Sequence, residues 1–120
     1  MKPILLIGEP MGLFIAQKIG PLEDVPLFSF AVAGAEINVA IGLARLGHSV
    51  HYMTHVGEDP FGKRIRHTLE QNGISASLVL SSPSYSTGFM LKGKVETGDP
   101  PIAYFRKESA ASHISPEDIE

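Results

Sequence analysis

The sequence contains no cysteine. This absence excludes disulfides, thiolate metal sites and cysteine nucleophiles, and it is compatible with a reducing compartment. The sequence also lacks a long apolar run at its start, because the apolar residues 3–7 are followed at once by Gly8-Glu9-Pro10. Such a run is too short for a signal peptide or a membrane span. These absences predict a soluble cytoplasmic protein with no membrane partner.

Positive charge is also scarce. The formal net charge is −3, and Lys and Arg cluster only at residues 63–66. A chain that binds a phosphate backbone needs a basic surface, so nucleic acid is not an expected partner. The chain has 120 residues, of which 43% are hydrophobic and 19% charged. Those values predict a globular chain with one core.

The order of apolar patterns predicts an α/β fold. Between Ala35 and Gly47, four apolar residues fall at helical spacing, namely Ile37, Ala40, Ile41 and Ala44. A second helix follows Asp59, an N-cap candidate, and Pro60, which suits the first helical position. Its apolar side is predicted at Phe61, Ile65 and Leu69, and its outward side at Lys63, Arg64, Arg66 and Glu70. Strands are predicted at residues 4–7, 13–16, 28–32, 50–56 and 78–80, the first of them as a buried central strand. The alternation of strand and helix favours a largely parallel sheet.

The last third of the chain has a different pattern. Residues 87–95 and 102–106 are typical of strands, and the polar connection 96–101 between them, with its Gly98-Asp99-Pro100-Pro101, predicts a hairpin. Residues 115–118 then carry the signals of a helix start.

Two groups of residues resemble functional motifs without the chemistry that those motifs need. Residues 57–64 have the glycine and lysine spacing of a phosphate-binding loop, but Arg64 stands where a Ser or Thr should hold the metal ion. Glu58 and Asp59 place carboxylates where phosphate would lie, so an ordinary strand-to-helix turn is the better interpretation. His51 and His55 share one face of a strand, but no carboxylate accompanies them at ligand spacing. No metal site is expected in the chain.

The most informative segment is residues 32–40, where a strand meets the start of the strongest helix. Gly34 and Ala35 allow close approach to the backbone, and Asn38 lies off the apolar face in the opening turns. Unpaired amides at a helix start can bind hydroxyls or a carboxylate. The alternative is an ordinary helix start that needs glycine for a positive φ, and the residues alone leave both interpretations open.

At these residues the sequence resembles the PfkB, or ribokinase-like, family of carbohydrate kinases. The resemblance rests on two linked patterns, Gly34-Ala35-x-x-Asn38-Val39-Ala40-x-x-Leu43-Ala44-Arg45-Leu46-Gly47 and Val56-Gly57-x-Asp59-x-x-Gly62. Within the family, 2-keto-3-deoxygluconate kinases are most similar, through Gly8-Glu9-Pro10-Met11, Gly34-Ala35-Glu36-x-Asn38 and Tyr104-Phe105-Arg106-Lys107-x-Ser109-Ala110-x-Ser112. The resemblance implies a Rossmann-like three-layer sheet with a small β lid, which the predicted hairpin matches.

The resemblance also implies a set of sugar-binding residues. Gly34, Ala35 and Asn38 would bind hydroxyls, while Tyr104 would contact the substrate and Arg106 would clamp its carboxylate. The sequence departs from the family pattern at two positions: Met90 replaces a common substrate-contacting tyrosine, and Glu108 replaces a usual glycine.

The remaining implications concern the parts of such a kinase that this chain lacks. The family's aspartate base and its ATP and Mg²⁺ sites lie downstream, so residues 1–120 are expected to form the N-terminal substrate-binding and lid portion of a sugar kinase, without kinase activity of their own. The expected substrate is 2-keto-3-deoxygluconate, and the alternatives are a neutral sugar, as in fructokinases and ribokinases, or a non-catalytic fragment that binds sugar or dimerises. A homodimer or higher oligomer through the lid is expected.

Overall fold

The computed structural model describes residues 2–115, which contain seven strands and two α-helices. The helix start predicted at residues 115–118 lies outside the described part, apart from Ser115. Two short 3-10 helices, Leu22–Asp24 and Ala110–His113, are present as well. The main elements are β1 (Ile4–Ile7), β2 (Met11–Ala16), β3 (Phe28–Ala33), α1 (Ala35–Arg45), β4 (Val50–Gly57), α2 (Pro60–Gln71), β5 (Val79–Ser82), β6 (Phe89–Lys92) and β7 (Ile102–Phe105).

The first sheet is parallel, with strand order β1-β4-β5. The parallel sheet expected from the alternating pattern is therefore confirmed. The prediction that residues 4–7 form a central strand was wrong for the described chain, because the longer β4 lies between β1 and β5. At its edge position β1 leaves Leu5 48% and Ile7 40% exposed.

Both α-helices pack against one face of this sheet. Their buried residues share a core with the side chains that β4 and β5 direct to that face, and the core contains Ile37, Ala40, Val50, Tyr52, Val56, Ile65, Leu69, Ile74 and Val79. The predicted apolar side of α2 is confirmed at Ile65 and Leu69. Arg66, predicted to face outward, instead folds back, since its Nη2 donates to the Val79 carbonyl at 2.6 Å and to the Ser81 hydroxyl at 2.8 Å.

The opposite face of the parallel sheet is partly uncovered. Because paired residues of parallel neighbours share a face, Leu5, Ile7 and Leu80 lie on the side away from the two α-helices. Leu80 is 44% exposed, which is unusual for a leucine in a parallel sheet. A three-layer arrangement would cover this face with further helices. No helix of the described residues is long and apolar enough to span a membrane.

The second sheet is the lid, and it is larger than the predicted hairpin. Its strand order is β3-β2-β6-β7, in which β6 and β7 form the expected antiparallel hairpin. β2 pairs antiparallel with β3 and parallel with β6. The strands predicted near residues 13–16 and 28–32 are therefore confirmed, and both belong to the lid.

The two faces of the lid have different roles. One face carries aromatic rings that pack on α2: Phe14 stacks on Phe30 at 5.3 Å, and Phe89 stacks on Phe61 of α2 at 5.3 Å. Arg64 is exposed, as predicted, and its Cζ lies 4.5 Å from the centroid of the Phe30 ring. This packing fixes the lid relative to the helical layer and turns the other face of the lid toward the start of α1.

Candidate functional site

A cavity of about 380 Å³ lies between the start of α1 and the inner face of the lid. It is lined by Glu9, Met11, Ala33, Gly34, Ala35, Glu36, Asn38, Met90, Tyr104 and Arg106. All the residues that the sequence predicted for sugar binding are in this group. The fold therefore brings residues at the start of α1 together with residues of the lid hairpin that are distant in the sequence, although their roles remain predictions.

The start of α1 supplies one wall of the cavity. Gly34 is its N-cap residue, with φ of 142° and ψ of 131°, and no side chain caps the helix. A Cβ at Gly34 would lie 3.2 Å from the Glu9 carbonyl oxygen and 3.3 Å from the Pro10 Cα. Glycine is thus required by the backbone, and the helix start beside the cavity has no side-chain cap for its first amides. The two interpretations of this segment are compatible.

The lid supplies the opposite wall. Met90 of β6 and Tyr104 of β7 are paired across the hairpin and line the same cavity. The Arg106 guanidinium lies over the Tyr104 ring, with its Cζ 4.7 Å from the ring centroid. Met90 is buried whereas Tyr104 is 52% exposed, so the polar groups of this wall are at the mouth of the cavity.

Two carboxylates in the cavity were missed by the sequence analysis. Glu9 lies in the turn after β1, and Glu36 lies in the first turn of α1 against Gly8. A Cβ at Gly8 would be 2.7 Å from the Glu36 Cβ, which shows how closely these segments pack. A usable signal was present for Glu9, because a polar residue just after a predicted parallel strand marks the carboxyl edge of the sheet, where ligands bind.

Tyr52 of β4 is buried near these carboxylates. It has no exposed surface, and its hydroxyl makes no hydrogen bond within the described part of the chain. Burial, followed by the negative charges of Glu36 and Glu9, raises the pKa of this phenol well above its usual value. The hydroxyl is therefore kept neutral and unpaired, which is costly in a protein core.

We expect Tyr52→Phe to raise the free energy of unfolding by about 1 kcal/mol, because it removes a buried hydroxyl that lacks a partner. Above about pH 10 this tyrosine ionises in the unfolded chain, whereas its raised pKa keeps it neutral in the folded protein. The wild-type protein should therefore lose stability as the pH rises above about 10, and Tyr52→Phe should lose less. Urea unfolding at neutral pH and above pH 10 measures both effects. The matched control is Tyr85→Phe, at an exposed tyrosine. If Tyr52→Phe were less stable than wild type, the prediction would be contradicted.

The two departures from the family pattern have different structural outcomes. Met90 lines the cavity, so this departure lies in the candidate site. Glu108 lies outside the lining, and its carboxylate is 3.4 Å from His113 Nε2. Its φ of 60° is in the left-handed region, where glycine is favoured, which explains physically why glycine is the usual residue there.

The segment 57–64 does not fit a bound phosphate. Asp59 caps α2, and its Oδ1 accepts from the Gly62 amide at 2.8 Å. The Gly57 amide donates to the Thr87 hydroxyl at 2.8 Å, and Pro60 has no amide hydrogen. The amides of both glycines are thus already used, in agreement with the prediction of a strand-to-helix turn. Among residues 2–115, no three His, Asp or Glu side chains converge in a group that could hold a metal ion.

Comparison with known proteins places this arrangement in a family. The family model described as "pfkB family carbohydrate kinase" matches residues 1–118. The chain is 46% identical to a 2-dehydro-3-deoxygluconokinase of Bacillus subtilis over 90% of its own length and 34% of that protein. It is 33% identical to a fructokinase of Klebsiella pneumoniae, covering 97% of the chain and 36% of that enzyme.

Solved structures of sugar kinases have the same fold. A PfkB protein from Polaromonas sp. superposes with a TM-score of 0.94 at 44% identity, covering 98% of this chain and 40% of the other. A sugar kinase of Pyrococcus horikoshii in complex with ATP superposes with a TM-score of 0.88 at 29% identity, covering 98% of this chain and 38% of the other. The chain thus spans little more than a third of the length of the curated relatives it matches. With the family model matching nearly every residue and the ribokinase-like fold present, the chain belongs to the PfkB family of carbohydrate kinases.

Proposed function

We propose that this chain is the N-terminal substrate-binding and lid portion of an ATP-dependent kinase that converts 2-keto-3-deoxygluconate to its 6-phosphate. The observation that carries the proposal is the cavity that joins the uncapped start of α1 to Arg106 of the lid. A sugar acid has hydroxyls that can bind at the start of α1 and a carboxylate that can bind Arg106. The similarity to a 2-dehydro-3-deoxygluconokinase supports the same substrate class.

The proposed roles follow from where each group lies. The Arg106 guanidinium, at the exposed mouth of the cavity, pairs with the sugar carboxylate through two parallel hydrogen bonds. The amides at Gly34 and Ala35, with the Asn38 side chain, bind hydroxyls at the opposite wall. Tyr104 supports the guanidinium from below and contacts the sugar, while Met90 supplies an apolar surface for its carbon chain.

ATP, with Mg²⁺, supplies the phosphoryl group and the charge that stabilises its transfer. We propose that the residues holding both, and the base that accepts the hydroxyl proton, belong to further sequence of the kinase. The role of the described residues is then to orient the sugar and exclude water from it. On this proposal the 120-residue chain binds sugar acid but does not transfer phosphate.

A kinase for a neutral sugar is the second candidate. It is favoured by the two cavity carboxylates, Glu9 and Glu36, which would repel a sugar acid, and by Met90, which removes a hydrogen bond from the family's substrate contacts. The similarity to a fructokinase is in line with it. A non-catalytic chain that only binds sugar or associates with itself is the third.

The deciding experiment uses the complete reading frame that contains this sequence. Purified product is assayed for ADP release with ATP, Mg²⁺ and either 2-keto-3-deoxygluconate or fructose. We expect a much larger kcat/KM with the acid, and mass spectrometry should show a monophosphate. A larger kcat/KM with fructose would favour the kinase for a neutral sugar. The absence of turnover with either sugar would favour the non-catalytic chain.

We further propose that the protein is cytoplasmic and that copies pair through the lid. β7 is an edge strand among the described strands, and its Ile102 and Phe105 are 44% and 51% exposed. Unpaired strand edges with apolar side chains favour association with a second copy.

Size-exclusion chromatography with light scattering tests the pairing. We expect a dimer for the wild-type chain and a shift toward monomer for Ile102→Lys, which puts a charge on the strand edge. The control is Leu46→Lys, at a leucine 77% exposed beyond the end of α1. A monomeric wild type, or equal association of both variants, would contradict pairing through the lid.

A further inference from the structure

Glu9 connects two parts of the chain that are far apart in sequence. It lies in the turn between β1 and β2, and its Oε2 accepts a hydrogen bond of 2.5 Å from the Ser109 hydroxyl, 100 positions away. This hydroxyl-to-carboxylate bond is short and charge-assisted, a class roughly twice as strong as a neutral hydrogen bond. It joins the carboxyl edge of the parallel sheet to the segment that leaves the lid.

Ser109 is the residue at which that segment is fixed. Its side chain is 2% exposed, and its amide donates to the Arg106 carbonyl at 3.2 Å. The resulting turn begins at Arg106 itself. Directly after it, the Ala110 amide donates to the Ser86 carbonyl at 2.7 Å, which closes the base of the hairpin. Holding Ser109 therefore holds the backbone that carries the guanidinium.

Gly88 shows how tightly Glu9 is placed beside Arg106. A Cβ at Gly88 would lie 2.9 Å from the Glu9 Oε2 and 3.0 Å from the Arg106 Cβ. A side chain at this position would therefore have to displace the Glu9 carboxylate. The carboxylate thus contacts the base of the lid on the side where Arg106 is attached.

We propose that Glu9 is a positioning residue: through Ser109 it fixes the Arg106 end of the lid over the start of α1. The carboxylate itself contacts no substrate in this role. Its effect on ligand binding rests on the proposed function, in which Arg106 binds the sugar carboxylate. Without the bond, the turn at residues 106–109 moves and the guanidinium is less often in place.

The binding test uses 2-keto-3-deoxygluconate and the 120-residue chain in titration calorimetry. Glu9→Ala and Ser109→Ala are each expected to weaken binding about tenfold, and the double variant to weaken it no further, because the bond between Glu9 and Ser109 is lost in every case. Glu9→Gln keeps an acceptor and should stay within about threefold of wild type. Tighter binding by Glu9→Ala would mean that the carboxylate only repels the ligand, and additive losses would mean that the two residues act separately. Either result overturns the inference.

A second measurement needs no ligand. Amide hydrogen exchange should be faster in Glu9→Ala at Ala110, at the base of the hairpin, and unchanged at Gly93, whose amide donates to the Pro101 carbonyl at 2.8 Å at the far end. Unchanged exchange at Ala110 would overturn the inference. If exchange changes as expected but Arg106→Ala leaves binding intact, the proposed substrate fails while the positioning role of Glu9 stands.

Discussion

Arg106→Ala is expected to weaken the binding of 2-keto-3-deoxygluconate by about tenfold to a hundredfold, that is by about 1.4 to 2.8 kcal/mol. The guanidinium is the only cationic group among the described residues that line the cavity. Its loss leaves the sugar carboxylate facing Glu9 and Glu36 without a positive partner. Binding of fructose, which has no carboxylate, should change by less than about twofold. Titration calorimetry with both sugars measures the difference.

Two further variants make this experiment specific. Lys107→Ala removes the neighbouring exposed cation, which does not line the cavity, and should leave both affinities unchanged. Arg106→Lys keeps the charge but loses the planar fork, so an intermediate affinity for the acid is expected. If Arg106→Ala binds the acid as tightly as wild type, the sugar acid is not the ligand of this cavity, and the neutral-sugar candidate takes its place.

The local elements of this fold were accessible from the sequence. The helical spacing from Ile37 to Ala44 predicted α1, and the pair Asp59-Pro60 predicted the first turn of α2 correctly. Both signals are short-range, because capping and amphipathic periodicity depend on residues a few positions apart. The position of Gly34 at a strongly positive φ was accessible for the same reason.

The pairing of the strands could not be predicted from the sequence. β1 and β2 are separated by only three residues, yet they belong to different sheets, and β2 pairs in parallel with β6, with Gly12 opposite Phe89. An alternating pattern shows which face of a strand is buried, but not which strand is its neighbour. The lid was therefore predicted as a hairpin when it has four strands.

The other differences between prediction and structure concern charged side chains. Arg66 has the periodicity of an outward helix face, but its guanidinium bonds to β5. Arg64 is exposed as predicted, and it also covers an aromatic ring. Long basic side chains can place their stems on apolar surface, which periodicity does not reveal. The bond between Glu9 and Ser109 could not be predicted, because only the fold brings these two residues close together.

Asp59→Ala is expected to lower the free energy of unfolding by about 3 kcal/mol, the largest effect on stability among the variants considered. The carboxylate connects α2 to the base of the lid. Its Oδ1 accepts from the Gly62 amide and the Thr87 hydroxyl, both at 2.8 Å, and its Oδ2 accepts from the Thr87 amide at 2.9 Å. Thr87 is 2% exposed, so water cannot replace these bonds without a change of structure.

The magnitude follows from adding a lost helix cap, worth about 1 kcal/mol, to hydrogen bonds with a charged acceptor that leave buried donors unpaired. Asp59→Asn retains an acceptor oxygen and should lose about half as much. The matched control is Glu58→Ala, at the adjacent exposed carboxylate, which should stay within about 0.5 kcal/mol of wild type. Urea unfolding followed by circular dichroism gives all three values. Equal stabilities of Asp59→Ala and Glu58→Ala would show that the bonds to Thr87 do not hold the lid to the helical layer.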